Sequence, residues 1–306
     1  MIFNTKIDFD SDAAGIASIN RLQLCTKGKQ AYYESSAYGN FEGLYVNIIG
    51  NVVHVKCSLH KLYYKELSGS LDNSQMFTVS NALKAINTLF DRLGIDRATT
   101  KVTYYEIGLN IQVEADPAEY INLVRSIGET EEKELFNDAN FRKNRQKTTE
   151  KGRSIKKVLK IYDKGFEARS KGHDVTGNIL RIETMYRRQS IPLSEFTSKS
   201  NLKKVYERFY RDWNSIEYQR RIEADKGIKP SQMERARNII ELGREMYLKQ
   251  NKELFLNGDI SKMRWETIRT FVKNWDSLKS KFRFKPDNKE VEYRNELNKA
   301  FKIAIT

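Results

Sequence analysis

The chain is poor in cysteine, histidine and proline. Two cysteines in 306 residues, Cys25 and Cys57, exclude a disulfide scaffold, and no Cys-x-x-Cys or His/Cys spacing suggests zinc. Three histidines, His54, His60 and His173, argue against mechanisms that need several imidazoles. No apolar run approaches the ~18–20 residues of a transmembrane helix. The opening MIFNTKIDFDSD lacks the basic and apolar regions of a signal peptide. What is present is 39% hydrophobic and 31% charged residues, enough for two cores. The expectation is a soluble, cytoplasmic protein with no membrane partner.

Acid is short as well. Fifty-four Lys and Arg against 40 Asp and Glu leave +14, and the excess is uneven. Residues 1–141 carry a net of −5, residues 142–189 a net of +10 and residues 190–306 a net of +9. A mildly acidic front and a basic rear imply a polyanion gripped by the second half. A solvated, lysine-rich surface would give the same count.

The first two-thirds read as short β-branched or aromatic strands with a few helices. Gly50-Asn51, between GLYVNII and VVHVKCSL, is a two-residue hairpin signal. A helix is expected over 78–93, capped by Thr78 or Ser80 and stopped by Gly94. A second should follow Asp116-Pro117 with Tyr120 inward. Residues 128–155 are short of aliphatics and rich in cations, as in a loop that orders on DNA. After Pro192 the strand signals fade into long helices broken at Gly227–Pro230, Asn257–Asp259 and Lys285–Asp287. The fold class is therefore α+β, with an antiparallel-sheet front over 1–190 and an all-α rear over 191–306.

Alternate residues of a strand share a face. In KVTYYEIGLNIQVE, Glu106, Gly108 and Asn110 lie together, opposite Tyr105, Ile107, Leu109 and Ile111. In VLKIYDK, Lys160, Tyr162 and Lys164 share a face. In LRIETMYRR, Arg181, Glu183 and Arg187 do. If these strands are neighbours, one face gathers carboxylates, an amide, a phenol and cations. Glu106, Glu183 and Asn110 are hard oxygen donors suited to Mg²⁺ or Mn²⁺. Tyr162 is a candidate nucleophile; a free phenol titrates near ~10, so Lys160, Lys164 and a metal-held phosphate would have to activate it. That chemistry is phosphodiester transesterification onto tyrosine. The same pattern is also ordinary for a sheet with one wet face and cross-strand ion pairs.

The succession CSLHKLYYKE (57–66), FDRLGID (90–96), VTYYEIGLNI (102–111), KIYDKGFEARSKG (160–172) and ILRIETMYRR (179–188) resembles the rolling-circle replication initiators of phages and plasmids. That group includes the filamentous-phage gene II and Rep_trans types, which are related to HUH endonucleases. The resemblance spans roughly residues 40–190, and KxYDKGxE followed by LRxE is its most telling pair. It implies an HUH-like core and a metal-dependent endonuclease and strand transferase. Tyr162 would be the nicking tyrosine, forming a 5′-phosphotyrosyl link and freeing a 3′-OH. Glu106 and Glu183 would be metal positions, and Lys164 the neighbouring basic residue. Where relatives often carry a further acid, this chain has Gly108 and Asn110, so Asn110, Asp8, Asp10 or His60 would complete the metal site. DNA contacts are expected from Arg142, Lys143, Arg145, Lys147, Arg181 and Arg187, with rear aromatics such as Trp213, Trp265 and Trp275 either stacking on bases or packing as core. Expected partners are origin DNA, a host helicase and polymerase, and a second copy of the chain. Alternatives are a mobilisation relaxase, a tyrosine transposase or a non-catalytic DNA-binding protein on the same fold.

Overall fold

Strand alternation and local turn chemistry build most of the first unit. A computed structural model describes residues 1–28, 30–35, 44–69, 71, 73–126, 136–137, 145–149, 154–218 and 221–306. Strands β1 (Ile2–Lys6), β2 (Gln23–Lys27), β3 (Gln30–Glu34), β4 (Leu44–Ile49), β5 (Val52–Cys57), β6 (Thr100–Val113), β8 (Phe136–Asn137), β9 (Gln146–Thr148), β10 (Lys157–Asp163) and β11 (Asn178–Tyr186) form one sheet. Its order is β2-β3-β4-β5-β1-β6-β11-β10-β9-β8, with the short β12 (Ile191–Pro192) also on β6, while β7 (Val124–Ser126) and β13 (Glu217–Tyr218) lie outside this sheet. Every registered neighbour pair is antiparallel. β4 and β5 close in a two-residue loop with Ile49 opposite Val52, and Gly50 takes the positive φ of 52° that this turn requires.

Helix α1 (Phe9–Ile19) follows β1, with Asp8 as its cap. The pair α2 (Leu59–Ser68) and α3 (Val79–Leu93) lies between β5 and β6. Thr78 caps α3 by accepting from Asn81 N, and Gly94 ends it at φ 62°, the expected start and stop. Its apolar stripe buries Ile86, Leu89, Phe90 and Leu93, with Phe90 edge-on to Phe3 of β1 at 5.3 Å. Pro117 opens the short α4 (Pro117–Leu123), and Tyr120 there is fully buried.

The chain divides later than residue 190. One unit comprises Met1–Glu217 with Lys289–Thr306, the other Tyr218–Asn288. The residues just past 190 stay with the sheet: β12 pairs with β6, and helix α7 (Lys199–Asn214), which follows α5 (Lys164–Arg169) and α6 (Leu193–Phe196), packs on β11. Trp213 of α7, fully buried, donates its indole N–H to Thr184 Oγ1 at 3.0 Å. Tyr293, on the last helix α12 (Asn288–Ala304), donates to Trp213 O at 3.1 Å.

The second unit is not all-helical. Residues 221–222, expected at the end of a helix, belong to β14 (Arg221–Ala224), paired with β15 (Phe282–Lys285). Partners about sixty residues away override the local helical pattern, because Ile222 and Phe282 gain a shared core. Helices α8 (Pro230–Leu242), α9 (Arg244–Leu256), α10 (Lys262–Lys273) and α11 (Trp275–Leu278) complete it. Gly243 at φ 79° separates α8 from α9. Phe271 and Trp275 are 6% exposed, and with Phe209 and Trp213 of the first unit at 1% and 0% they are core residues, closed to nucleobases.

Candidate active site

The three strands singled out by their alternation are neighbours, with β11 between β6 and β10. Register places Glu183 opposite Lys160 on one side and Gly108 on the other. Arg181 stands opposite Tyr162 and Asn110. The shared face is not wet, however. Asn110, Arg181 and Glu183 are 8%, 7% and 9% exposed, so their polar atoms must satisfy one another.

They do so around Arg181. Its Nε donates to Glu183 Oε1 at 2.6 Å and its Nη1 to Asn110 Oδ1 at 2.8 Å. Tyr162 Oη donates to the same Glu183 Oε1 at 3.0 Å. The Lys160 ammonium lies 3.9 Å over the Tyr162 ring and 3.8 Å from Glu183 Oε2. Burial would raise the Glu183 carboxyl, but the Arg181 and Lys160 charges outweigh it and hold it below its usual range. Burial, with the nearby Glu183 charge, drives the Tyr162 phenol well above its usual value, and burial lowers Lys160. Glu183 is thus a fixed carboxylate and Tyr162 a neutral phenol hydrogen-bonded to it.

A second phenol–carboxylate pair lies beside the first. Tyr104 donates to the exposed Glu106 on β6. Burial and that bond raise the phenol. Tyr104, Glu106, Gly108 and Arg181 line one side of a cavity of ≈ 880 Å³, whose other walls include His60 and Phe77. Tyr104 had no assigned role in the sequence, although its even number puts it on the face of Glu106 and Gly108.

Residues 73–75 were also missed. Asn110 Nδ2 reaches the carbonyls of Asn73, Ser74 and Gln75 at 3.2, 2.6 and 3.1 Å. Lys164 Nζ donates to Asn73 Oδ1 at 2.6 Å and pairs with Glu167. Asn110 and Lys164 therefore tie this segment over the sheet, and Lys164, 3% exposed, is turned away from solvent. No local signal marks such a strap, since its partners come from a distant strand and from Lys164, which opens α5 rather than continuing β10 as expected.

Two of the three side chains expected to hold a metal, Asn110 and Glu183, are engaged by Arg181. Asn110 Oδ1 and Glu183 Oε1 accept from Arg181, Glu183 Oε2 lies 3.8 Å from Lys160 Nζ, and the exposed Glu106 accepts from Tyr104. Among the described residues no three His, Cys, Asp or Glu side chains are placed to share a cation. Asp8 caps α1, accepting from Asp10 N at 3.1 Å, and both are exposed. His60 is 7% exposed and stacked on Phe77 at 4.5 Å. Burial, then the Arg181 and Lys164 charges, lower its imidazole to about 2.

Of the expected DNA contacts, Arg142 and Lys143 lie outside the described residues. Arg145 is held by Asp163 at 3.0 Å and Asp116 at 3.2 Å. Lys147, 5% exposed, donates to the carbonyls of Asn122 and Val124. Both are held by groups of their own chain. Arg187 is half-buried, and its charge eases the rise of the Tyr104 phenol.

No protein-family model matches the chain, and no curated protein matches it. A solved structure, the rolling circle replication initiator protein from Geobacillus stearothermophilus, is similar at 12% identity. The match covers 74% of this chain and 88% of that one, with a TM-score of 0.37. At that distance the function has to be read from the site itself. No helix among the described residues is long and apolar enough to cross a membrane.

Proposed function

We propose that the protein is a DNA-nicking replication initiator, in which Tyr162 attacks a phosphodiester of single-stranded or melted origin DNA. The observation that carries this reading is the Tyr162 hydroxyl donating to Glu183 Oε1 at 3.0 Å, with Lys160 over the ring and Arg181 on the same carboxylate. The resemblance of KIYDKG and LRIE to the initiator motifs agrees with it. Because burial disfavours a free phenolate, the proton leaves only as the new bond forms. The Tyr162 Oη–phosphorus bond is made, its proton passes to Glu183, and the phosphorus–O3′ bond breaks. The 3′ oxygen takes a proton from water, and Glu183 returns its own to solvent. Tyr162 is only 5% exposed, so DNA has to draw aside the Lys160 side chain lying over it.

The test is covalent trapping of the full chain on labelled single-stranded oligonucleotides tiling its own element, resolved on a denaturing gel. A protein-linked band that vanishes in Tyr162→Phe supports the reading. No band under any ionic condition would leave a non-catalytic DNA-binding protein. A second reading, with Tyr104 as nucleophile, is favoured by one observation: Tyr104 is less buried and lines the cavity with Arg181. It predicts a band that survives Tyr162→Phe and is lost in Tyr104→Phe.

A further inference from the structure

We infer that the cation facing the scissile phosphate is the Arg181 guanidinium, joined by the Lys160 ammonium, and that strand cleavage here needs no divalent metal. This rests on the nicking reading above. Three observations lead to it. The first is that Arg181 takes an oxygen from two of the three side chains expected to hold an ion, Glu183 Oε1 at 2.6 Å and Asn110 Oδ1 at 2.8 Å. A positive charge already occupies the middle of the set.

The second concerns what Arg181 leaves over. Its Nε and Nη1 are engaged, while Nη2 has no hydrogen-bond partner among the described residues. That nitrogen lies over Gly108, and both residues line the ≈ 880 Å³ cavity. A buried guanidinium that lines a cavity and keeps one nitrogen without a partner is suited to an anion, and its planar fork fits phosphate oxygens. Lys160, a quarter exposed at its side chain, stands one strand away across Glu183.

The third is the glycine. A Cβ at position 108 would sit 2.8 Å from Arg181 Cζ and closer still to Nη2. Only the missing side chain lets the guanidinium come this close to β6. Gly108 is therefore a positioning residue. In the step, negative charge gathers on the non-bridging oxygens as the Tyr162 oxygen adds and O3′ departs. Fixed donors aimed at that charge in a dry site are worth more than the same donors in water. The tyrosine proton still goes to Glu183, so the balance of the reaction is unchanged.

The trapping assay decides the matter when the full chain is run with excess EDTA beside Mg²⁺ and Mn²⁺. Equal adduct yield in EDTA and in either metal is the expected result. Arg181→Ala should cut the EDTA yield by about 100-fold or more. Mn²⁺ should then restore part of it, since Glu183 and Asn110 are released as ligands; a merely structural arginine would give no such switch to metal dependence. Gly108→Ala should lower the yield about 10-fold with an unchanged circular-dichroism spectrum. A wild-type adduct that forms with metal and vanishes in EDTA overturns this inference and leaves the nicking reading standing. The absence of any adduct, with or without metal, overturns both.

Discussion

Residues 218–288 carry 17 Lys and Arg against 10 Asp and Glu, a net of +7. Several of those cations sit at the surface against a carboxylate of their own unit: Arg244 with Asp276, Arg283 with Asp225 and Lys285 with Glu223. On the β6–β11–β10 face the arrangement is the opposite. Few cations are present, but Arg181 there and Lys164 at the start of α5 are almost fully buried and fixed by several partners. Exposed pairs are screened and hold little structure; their charge attracts polyanions at long range. Buried, convergent ones bear a desolvation cost and in return hold a geometry. A count of charges thus points to one part of this chain, and the convergence of buried polar groups points to another.

Glu183→Gln should break the contrast most strongly. It leaves Arg181 buried without its counter-ion, a loss of about 3–5 kcal/mol by the usual behaviour of buried pairs, readable in urea melts. It should also abolish the adduct. Trp213→Ala comes next, at about 3–5 kcal/mol for a fully buried aromatic, with Thr184 Oγ1 losing its donor. The same melts report it, and a loss below ~1 kcal/mol would mean that α7 does not anchor the sheet.

A smaller effect depends on pH. His60 stays neutral in the fold down to about 2, whereas the unfolded chain takes up a proton near ~6.5. Stability is therefore full above that value and falls as pH drops, by about 1.4 kcal/mol per unit at most. Glu167 adds to the loss further down: burial opposes its ionised form, but Lys164 and Lys171 outweigh it and hold it at about 2. His60→Phe should flatten the decline between pH 6.5 and 4.5. An unchanged slope in urea melts across that range would remove His60 as its cause. Smallest of all, Arg244→Ala should leave the melting midpoint in place, and should only soften the salt dependence of DNA binding.

Much of the candidate site was legible in strand parity. The pattern at 106, 108 and 110, at 160 and 162, and at 181 and 183 needs only the two-residue repeat of a strand, and those residues do share a face. What parity cannot supply is register. Arg181 was read as a DNA contact because nothing local says that it stands between Tyr162 and Asn110. Asn110 was read as a ligand because the strap at 73–75 comes from a loop far away in sequence. Turn chemistry at Gly50 and capping at Thr78 and Gly94 were readable because they are satisfied within a few residues. The β14–β15 pairing was not, because both strands are short and their partners lie across the whole second unit.

The empty Cβ position at 108 has a consequence for how this site can change over generations. Any side chain there meets the Arg181 guanidinium, so a side chain at 108 displaces that guanidinium from its present place. A lineage can keep a glycine at 108 with an arginine at 181, or place an acid at 108 only after the arginine has gone or turned away. Neither single step is neutral: an acid first collides with the guanidinium, and loss of the arginine first strands Glu183. The pair is then expected to change together or not at all, and a sequence survey that counts 108 and 181 jointly would read the site's charge strategy directly from relatives too distant to align elsewhere.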